Sequence, residues 1–164
     1  MNWYFGVKLL HIIAAMMLVG GLFGRQLVRA LAKKTDDVHI FLALSQAAGR
    51  IENLMVIPGN MAVMILGVIL ALESGYPIFG FLQGAAQNWL LISIILLVVI
   101  LLLVPTVLIP RGKKFGAILE TALAKGEMTP ELRMAMDDRV VRLAHLYEQV
   151  ALVIIVALMV LKPF

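Results

Sequence analysis

From Trp89 to Ile109 the chain carries no charged residue, and Ser93 and Thr106 are its only hydroxyl side chains there. A helix rises about 1.5 Å per residue, so a stretch of this length crosses a hydrocarbon core of roughly 30 Å. Three further apolar stretches reach comparable length: Tyr4–Gly24, Leu54–Leu72 and Leu143–Leu161. In lipid every backbone N–H and C=O must find its partner inside the protein, which restricts such segments to helices. The expected fold is therefore all-α, a polytopic membrane four-helix bundle with helical cytoplasmic extensions. Residues 1–164 read as a single transmembrane domain. Composition agrees, with 62% apolar and 15% charged residues and a mean hydropathy of +1.00. Soluble domains carry roughly 45–50% and about 25%.

The charges are unevenly placed. Twelve of the 14 basic residues fall in two connections, Arg25 to Arg50 and Pro110 to Arg142, while Glu73–Asn88 holds none. The positive-inside rule then places both long connections in the cytoplasm of a cell with this protein in its inner membrane, and both termini outside. Trp3, Tyr4, Tyr76 and Trp89 all fall at the outer boundary, as interfacial aromatic belts do. Met1–Trp3 has no basic region ahead of the first apolar stretch, which reads as a retained helix. The net charge of +4 is topological in this reading, and no nucleic-acid partner is expected. The absence of cysteine excludes disulfides, iron–sulfur clusters and thiolate chemistry.

Helical signals continue beyond the membrane. Arg25–Lys34 extends the first helix with its charges exposed. Lys113–Lys125 is amphipathic, with Phe115, Ile118, Leu119 and Ala122 on one side, and Gly126 breaks it. Thr129-Pro130-Glu131 starts a helix, with Thr as N-cap and Pro in the first turn, and the fourth helix is expected to run from there to Lys162.

Ionisable groups at membrane depth are functional candidates. Lys8 and His11 share a face of the first helix at i, i+3 spacing. His11 reads either as a ligand for haem or a metal, with Lys8 beside an anionic group, or as an interhelical hydrogen-bonding residue with Lys8 reaching the headgroups. Met61 and Met64 are one turn apart, and Met64 lies near His11 in expected depth, so a His/Met site stands beside the plainer reading of methionine as packing. His145 and Gln149 share a face of the fourth helix, with Glu148 adjacent. His145 is expected about 15 Å deeper than His11, too far for both to ligate one iron, and reads as an interfacial residue near Arg142. Asn60 and Gln149 are placed at similar depth, where a cross-helix hydrogen bond is expected. Pro58-Gly59 reads as a kink, and Gly20, Gly21 and Gly24 as small residues allowing close helix approach.

The run Lys8-Leu9-Leu10-His11-Ile12-Ile13, followed by Gly21-Leu22-Phe23 and Arg25, resembles the first helix of HemJ-type protoporphyrinogen oxidases. Ile57-Pro58-Gly59 with Gly67 is similar to that family's second helix, and Val160-Leu161-Lys162-Pro163-Phe164 to its C-terminus. The resemblance covers the chain loosely through four short motifs. It departs after His11, where Ala14–Leu18 replaces a tryptophan, and at the end of the first helix, where a Tyr-His is absent. The chain looks closer to a sister group of bacterial four-helix membrane proteins, with CopD-like copper-resistance proteins more distant. The resemblance implies haem b at His11 and porphyrinogen oxidation, with Lys8 and His11 carried over.

Two functions follow as expectations. One is a haem-binding membrane redox protein, with His11, Lys8 and Met64 at the cofactor. The other is a non-catalytic accessory or assembly subunit, with the lipid bilayer and other membrane subunits or copies of itself as partners. A transporter finds less support, because no inverted repeat or paired broken helices are evident.

Overall fold

The computed structural model describes residues 3–163. Met1, Asn2 and Phe164, which enter the readings of the N-terminus and the C-terminal motif, lie outside the described residues. No strand occurs among the described residues, and four helical stretches are long and apolar enough to cross a membrane. Helix α1 spans Trp3–Ala32, and α2 (Val38–Ile51) runs through a π-helical turn, Glu52–Val56, into α3 (Ile57–Glu73). A second π-helical turn, Val104–Leu108, joins α4 (Trp89–Leu103) to α5 (Ile109–Lys125). Helices α6 (Pro130–Met136) and α7 (Arg139–Leu161) complete the chain.

Both π-turns are followed by the same dipeptide, Ile57-Pro58 and Ile109-Pro110. Proline has no N–H to donate, and its ring crowds the carbonyl four residues back. One wide turn ahead of it relieves that crowding and lets the helix continue, bent, across the membrane boundary. The expected kink at Pro58-Gly59 is thus located in the preceding turn. Gly59 serves close packing: a Cβ there would stand 3.0 Å from the Leu18 backbone nitrogen on α1. Gly21 does the same in reverse, since a Cβ would meet Met55 Cβ at 2.8 Å. Gly24 meets nothing within 4 Å, so of the expected small-residue contacts Gly21 is the close one.

Each capping residue satisfies amides that the first turn leaves without partners. Asp37 accepts from His39 and Ile40 at 2.7 and 3.1 Å, and these bonds hold its carboxyl below the usual carboxylate range. Thr129 accepts from the Leu132 N–H at 3.2 Å, as the sequence predicts. Gly126, at φ +70°, ends α5 in the left-handed conformation that glycine adopts without penalty. The expectation of one helix from Pro130 to Lys162 is corrected. Asp138 accepts from the Val140 N–H at 2.8 Å and also pairs with Arg111, so a new helix starts at Arg139.

Three apolar clusters stack along the molecule. At one end α1, α2, α5 and α6 close over Ala32, Val38, Phe41, Leu119, Ala122 and Leu132, with Phe115 and Ile118 packed against them. This is the buried side expected for Lys113–Lys125. Midway, Leu18, Leu22, Val56 and Leu152 join α1, α7 and the turn leading into α3. At the far end Ala71, Trp89, Leu90 and Leu158 join α3, α4 and α7. There Trp3 Nε1–H donates to Glu73 at 2.7 Å, and Lys162 donates to the Tyr76 hydroxyl at 2.7 Å while facing the Tyr76 and Trp89 rings. The aromatic residues, the start of α1 and the end of α7 therefore share one end of the bundle. The two basic connections share the other.

Candidate functional site

Near the basic end, the first helix carries Arg25 and Arg29 one turn apart, the chain re-enters through Glu52, and α7 brings His145 and Glu148, three residues apart. These five side chains meet. Arg25 is 2% exposed and Glu148 4%. Arg25 Nη1 pairs with Glu52, and Nη2 donates to Glu148 Oε2 at 2.7 Å. A guanidinium has five N–H donors in a planar fork, which suits it to bridge two carboxylates arriving from different helices. The expected exposed charge at Arg25 is corrected: it is the most deeply buried charge in the cluster.

His145 completes the cluster. Its Nδ1 lies 2.8 Å from Glu148 Oε2 and its Nε2 lies 2.6 Å from Arg29 Nη1. Arginine donates and never accepts, so Nε2 presents its lone pair to Arg29. The ring proton then sits on Nδ1 and is donated to the Glu148 carboxylate. Arg25 Nη2 also stands 3.4 Å from Nδ1, so both arginines face the ring. His145, expected as an interfacial residue near Arg142, lies one turn from it on α7 and contacts Arg29 and Glu148. Each formal charge has a counter-charge or hydrogen-bond partner in contact, as a low-dielectric site requires. Two donors, Arg25 Nε and Gln26 Nε2, are buried without a protein partner.

The sequence-predicted residues lie elsewhere. His11 is on α1 almost four turns from Arg25; its Nδ1 is buried without a hydrogen bond of regular geometry, and the ring faces the Val63 backbone on α3. Its Cε1 is 3.1 Å from the position a Cβ on Gly67 would take, so the imidazole occupies the space that this glycine leaves on α3. Lys8 is exposed, with Nζ 6.0 Å from the Tyr4 ring. Met64 is half-buried and three residues before Gly67, which places it on the same face of α3. Among the described residues no three His, Asp or Glu side chains converge as a metal site. Asn60 and Gln149 are both half-buried, and the expected bond between them is not formed.

Clefts of about 280 and 140 Å³ open between α4 and α7 and between α1 and α7, away from His11. Sequence reasoning missed Glu52 and placed Arg25 and Arg29 only as exposed charges. The signal available was sign complementarity: two arginines one turn apart at the end of one span, and two acids at the start of others.

The chain belongs to the DUF2269 family of predicted integral membrane proteins, whose profile matches residues 5–163. No curated protein and no solved structure matches it.

Proposed function

We propose that this family member is a non-catalytic accessory or assembly subunit of a larger complex in the bacterial inner membrane. In this reading the termini face outward and the basic connections face the cytoplasm. One observation carries it: the charged side chains buried between the helices contact one another and tie those helices together. Arg25, Glu52, His145, Glu148 and Arg29 form a closed set of contacts linking α1, α7 and the turn after α2. The basic end is itself a packed platform, fastened by Lys33–Asp137 at 3.0 Å and by Arg133–Asp36. Met134, 70% exposed, and Ile40, 52% exposed, stand on that platform as apolar contact points among charges. The test is a photo-crosslinking amino acid placed at Met134 or at Phe81, on the opposite end, in intact cells. A discrete higher-mass adduct from position 134, absent from 81, is the expected result. Adducts only with lipid from both positions overturn the reading.

A second reading has its own observation, the His11 Nδ1 buried without a hydrogen bond of regular geometry. An axial haem ligand needs one such nitrogen, and the resemblance of Lys8–Ile13 to HemJ-type enzymes points the same way. His11 would hold haem b, with Lys8 towards the outer headgroups and Met64 on the facing helix. The group would supply one-electron transfer. Gly67 limits the fit, because the ring already presses on α3. A Soret band in protein purified from haem-replete cells, lost in His11→Ala, establishes this reading and replaces the first.

A further inference from the structure

Between α3 and α4, the chain from Ser74 to Asn88 carries no charged residue. A connection at a water boundary ordinarily turns polar side chains outward. Here large apolar ones take that place: Phe79, Phe81 and Leu82 are 53%, 64% and 67% exposed. They sit on a 3-10 turn, Gly80–Gln83, and the residue before it. At three residues per turn, Phe79 and Leu82 project from the same side.

The turn is held by its own hydrogen bonds. Phe79 N–H donates to Gln83 Oε1 at 3.1 Å, and Phe81 N–H to Asn88 Oδ1 at 2.8 Å. The amides of Gly80, Leu82, Gly84 and Ala85 donate to carbonyls of the same loop at 2.9–3.3 Å. Gly80 and Gly84, at φ +51° and +73°, supply the left-handed positions that this path requires. Amides left in water need no such partners, whereas amides withdrawn from water do.

The height of the turn is fixed as well. Asn88 immediately precedes Trp89, the first residue of α4, so the Phe81 amide lies at the level where that span begins. Ile78 packs on the cluster of Ala71, Trp89, Leu90 and Leu158, and the Tyr76 ring meets Trp89 edge to face at 5.1 Å. The loop therefore lies folded against the end of the bundle, among the interfacial aromatic residues. The adjoining spans also expose apolar side chains that lipid must cover, Leu72 on α3 and Ile95 on α4.

We propose that the Phe79–Leu82 turn inserts into the lipid leaflet opposite the basic connections, with both phenyl rings and Leu82 at the boundary between headgroups and acyl chains. Uncharged and with its amides paired, the turn meets the requirement of that zone, where interfacial segments bury side chains of this kind. It anchors a connection that has no lysine or arginine to reach the headgroups. The site is independent of the accessory-subunit reading, since it needs only the membrane location.

The chain has no cysteine, so single cysteines can carry a nitroxide at chosen positions. The full chain labelled at Phe81→Cys or Leu82→Cys is reconstituted in phosphatidylcholine vesicles. Power-saturation electron paramagnetic resonance then compares collisions with oxygen, which concentrates in lipid, and with a water-soluble nickel chelate. Ile95→Cys and Glu127→Cys, exposed on α4 and in the turn after α5, give the lipid and aqueous references. Labels at 81 and 82 should collide more with oxygen than with the chelate, as at 95 and opposite to 127. With the label at 82, Phe79→Ser and Phe81→Ser together should abolish that excess, with helix content unchanged because both rings are exposed. Chelate collisions as frequent as at 127 place the turn in water and overturn the proposal. Few collisions with either reagent place it against protein and also overturn it. An excess that survives the double serine variant does the same, since the label alone would then account for the insertion.

Discussion

Arg25 Nη2 and Glu148 Oε2 are 2.7 Å apart, joining residues 123 positions apart in sequence at a site where both are almost completely buried. The pair closes α1 on α7, and through Glu52 the same guanidinium holds the turn that leads into α3. A buried ion pair does not add stability beyond what a well-packed apolar pair supplies, but breaking one strands a charge. Its effect is to select one arrangement of the helices.

Removing the guanidinium leaves Glu52 and Glu148 without the cation that bridges them, with Arg29 the remaining positive charge nearby. Arg25→Met is expected to lower stability by about 3–5 kcal/mol, the usual cost of breaking a buried pair. Arg25→Lys should recover only part of this, because one ammonium cannot replace a fork that reaches both Glu52 and Glu148. Thermal unfolding in detergent, followed by circular dichroism, measures both. Full recovery in the lysine variant would show that charge alone suffices.

The glycines on α1 should separate by contact. Gly21→Ala would place a Cβ 2.8 Å from Met55 Cβ and 3.0 Å from Val56 Cγ2. Overpacking of this kind costs about 1–3 kcal/mol. Gly24→Ala, with open space around it, should be neutral or slightly stabilising, because alanine is the better helix former. Equal melting temperatures for the two variants would contradict the close approach of α1 to the turn before α3.

Much of this architecture is readable from particular residues. The uncharged run Trp89–Ile109, the Thr129-Pro130 start and the Gly126 stop each carry a local physical signal, and each appears where expected. The aromatic residues Trp3, Tyr76 and Trp89 gather at one end for the same reason. Arg25 is not readable in this way, because a basic residue just beyond an apolar stretch looks like a topology signal, and its burial depends on partners from other helices. Depth counting obscures the pair further: at 1.5 Å per residue from the span centres, Arg25 and Glu148 stand roughly 10 Å apart. Long side chains and an off-centre α7 close that gap. The break at Asp137-Asp138 is hidden because either aspartate is tolerated in a first helical turn, and only the Arg111 partner selects a cap at 138.

The α6 cap offers a simpler test. Thr129 is 3% exposed and its hydroxyl oxygen accepts from the Leu132 amide, so Thr129→Ala should cost about 0.5–2 kcal/mol. Thr129→Ser should retain most of the stability. The loss should be local, raising amide exchange around Leu132 while leaving α4 protected.

Acid should release the Asp37 cap. Its carboxyl is held below the usual range by the amides of Ile40 and His39, so the native state favours the charged form. That contribution is fully present above the ordinary carboxylate range and is lost as pH falls through the lower native value. The melting-temperature gap between wild type and Asp37→Ala should therefore be constant near neutrality and narrow as the pH drops below the ordinary carboxylate range. A gap that widens on acidification would assign the cap to another group.

A double-mutant cycle on Arg25 and Glu148 measures the bracing of α1 against α7 itself. Arg25→Met, Glu148→Leu and the pair together are compared by unfolding in the same detergent. The double variant should be markedly more stable than the sum of the single losses predicts, with a coupling of about 1–3 kcal/mol, because it removes both charges at once and leaves Glu52, 30% exposed, and Arg29 as the remaining pair of opposite charges. Additivity within about 0.5 kcal/mol would show that the two residues do not hold the helices together, and the cluster would lose its structural role.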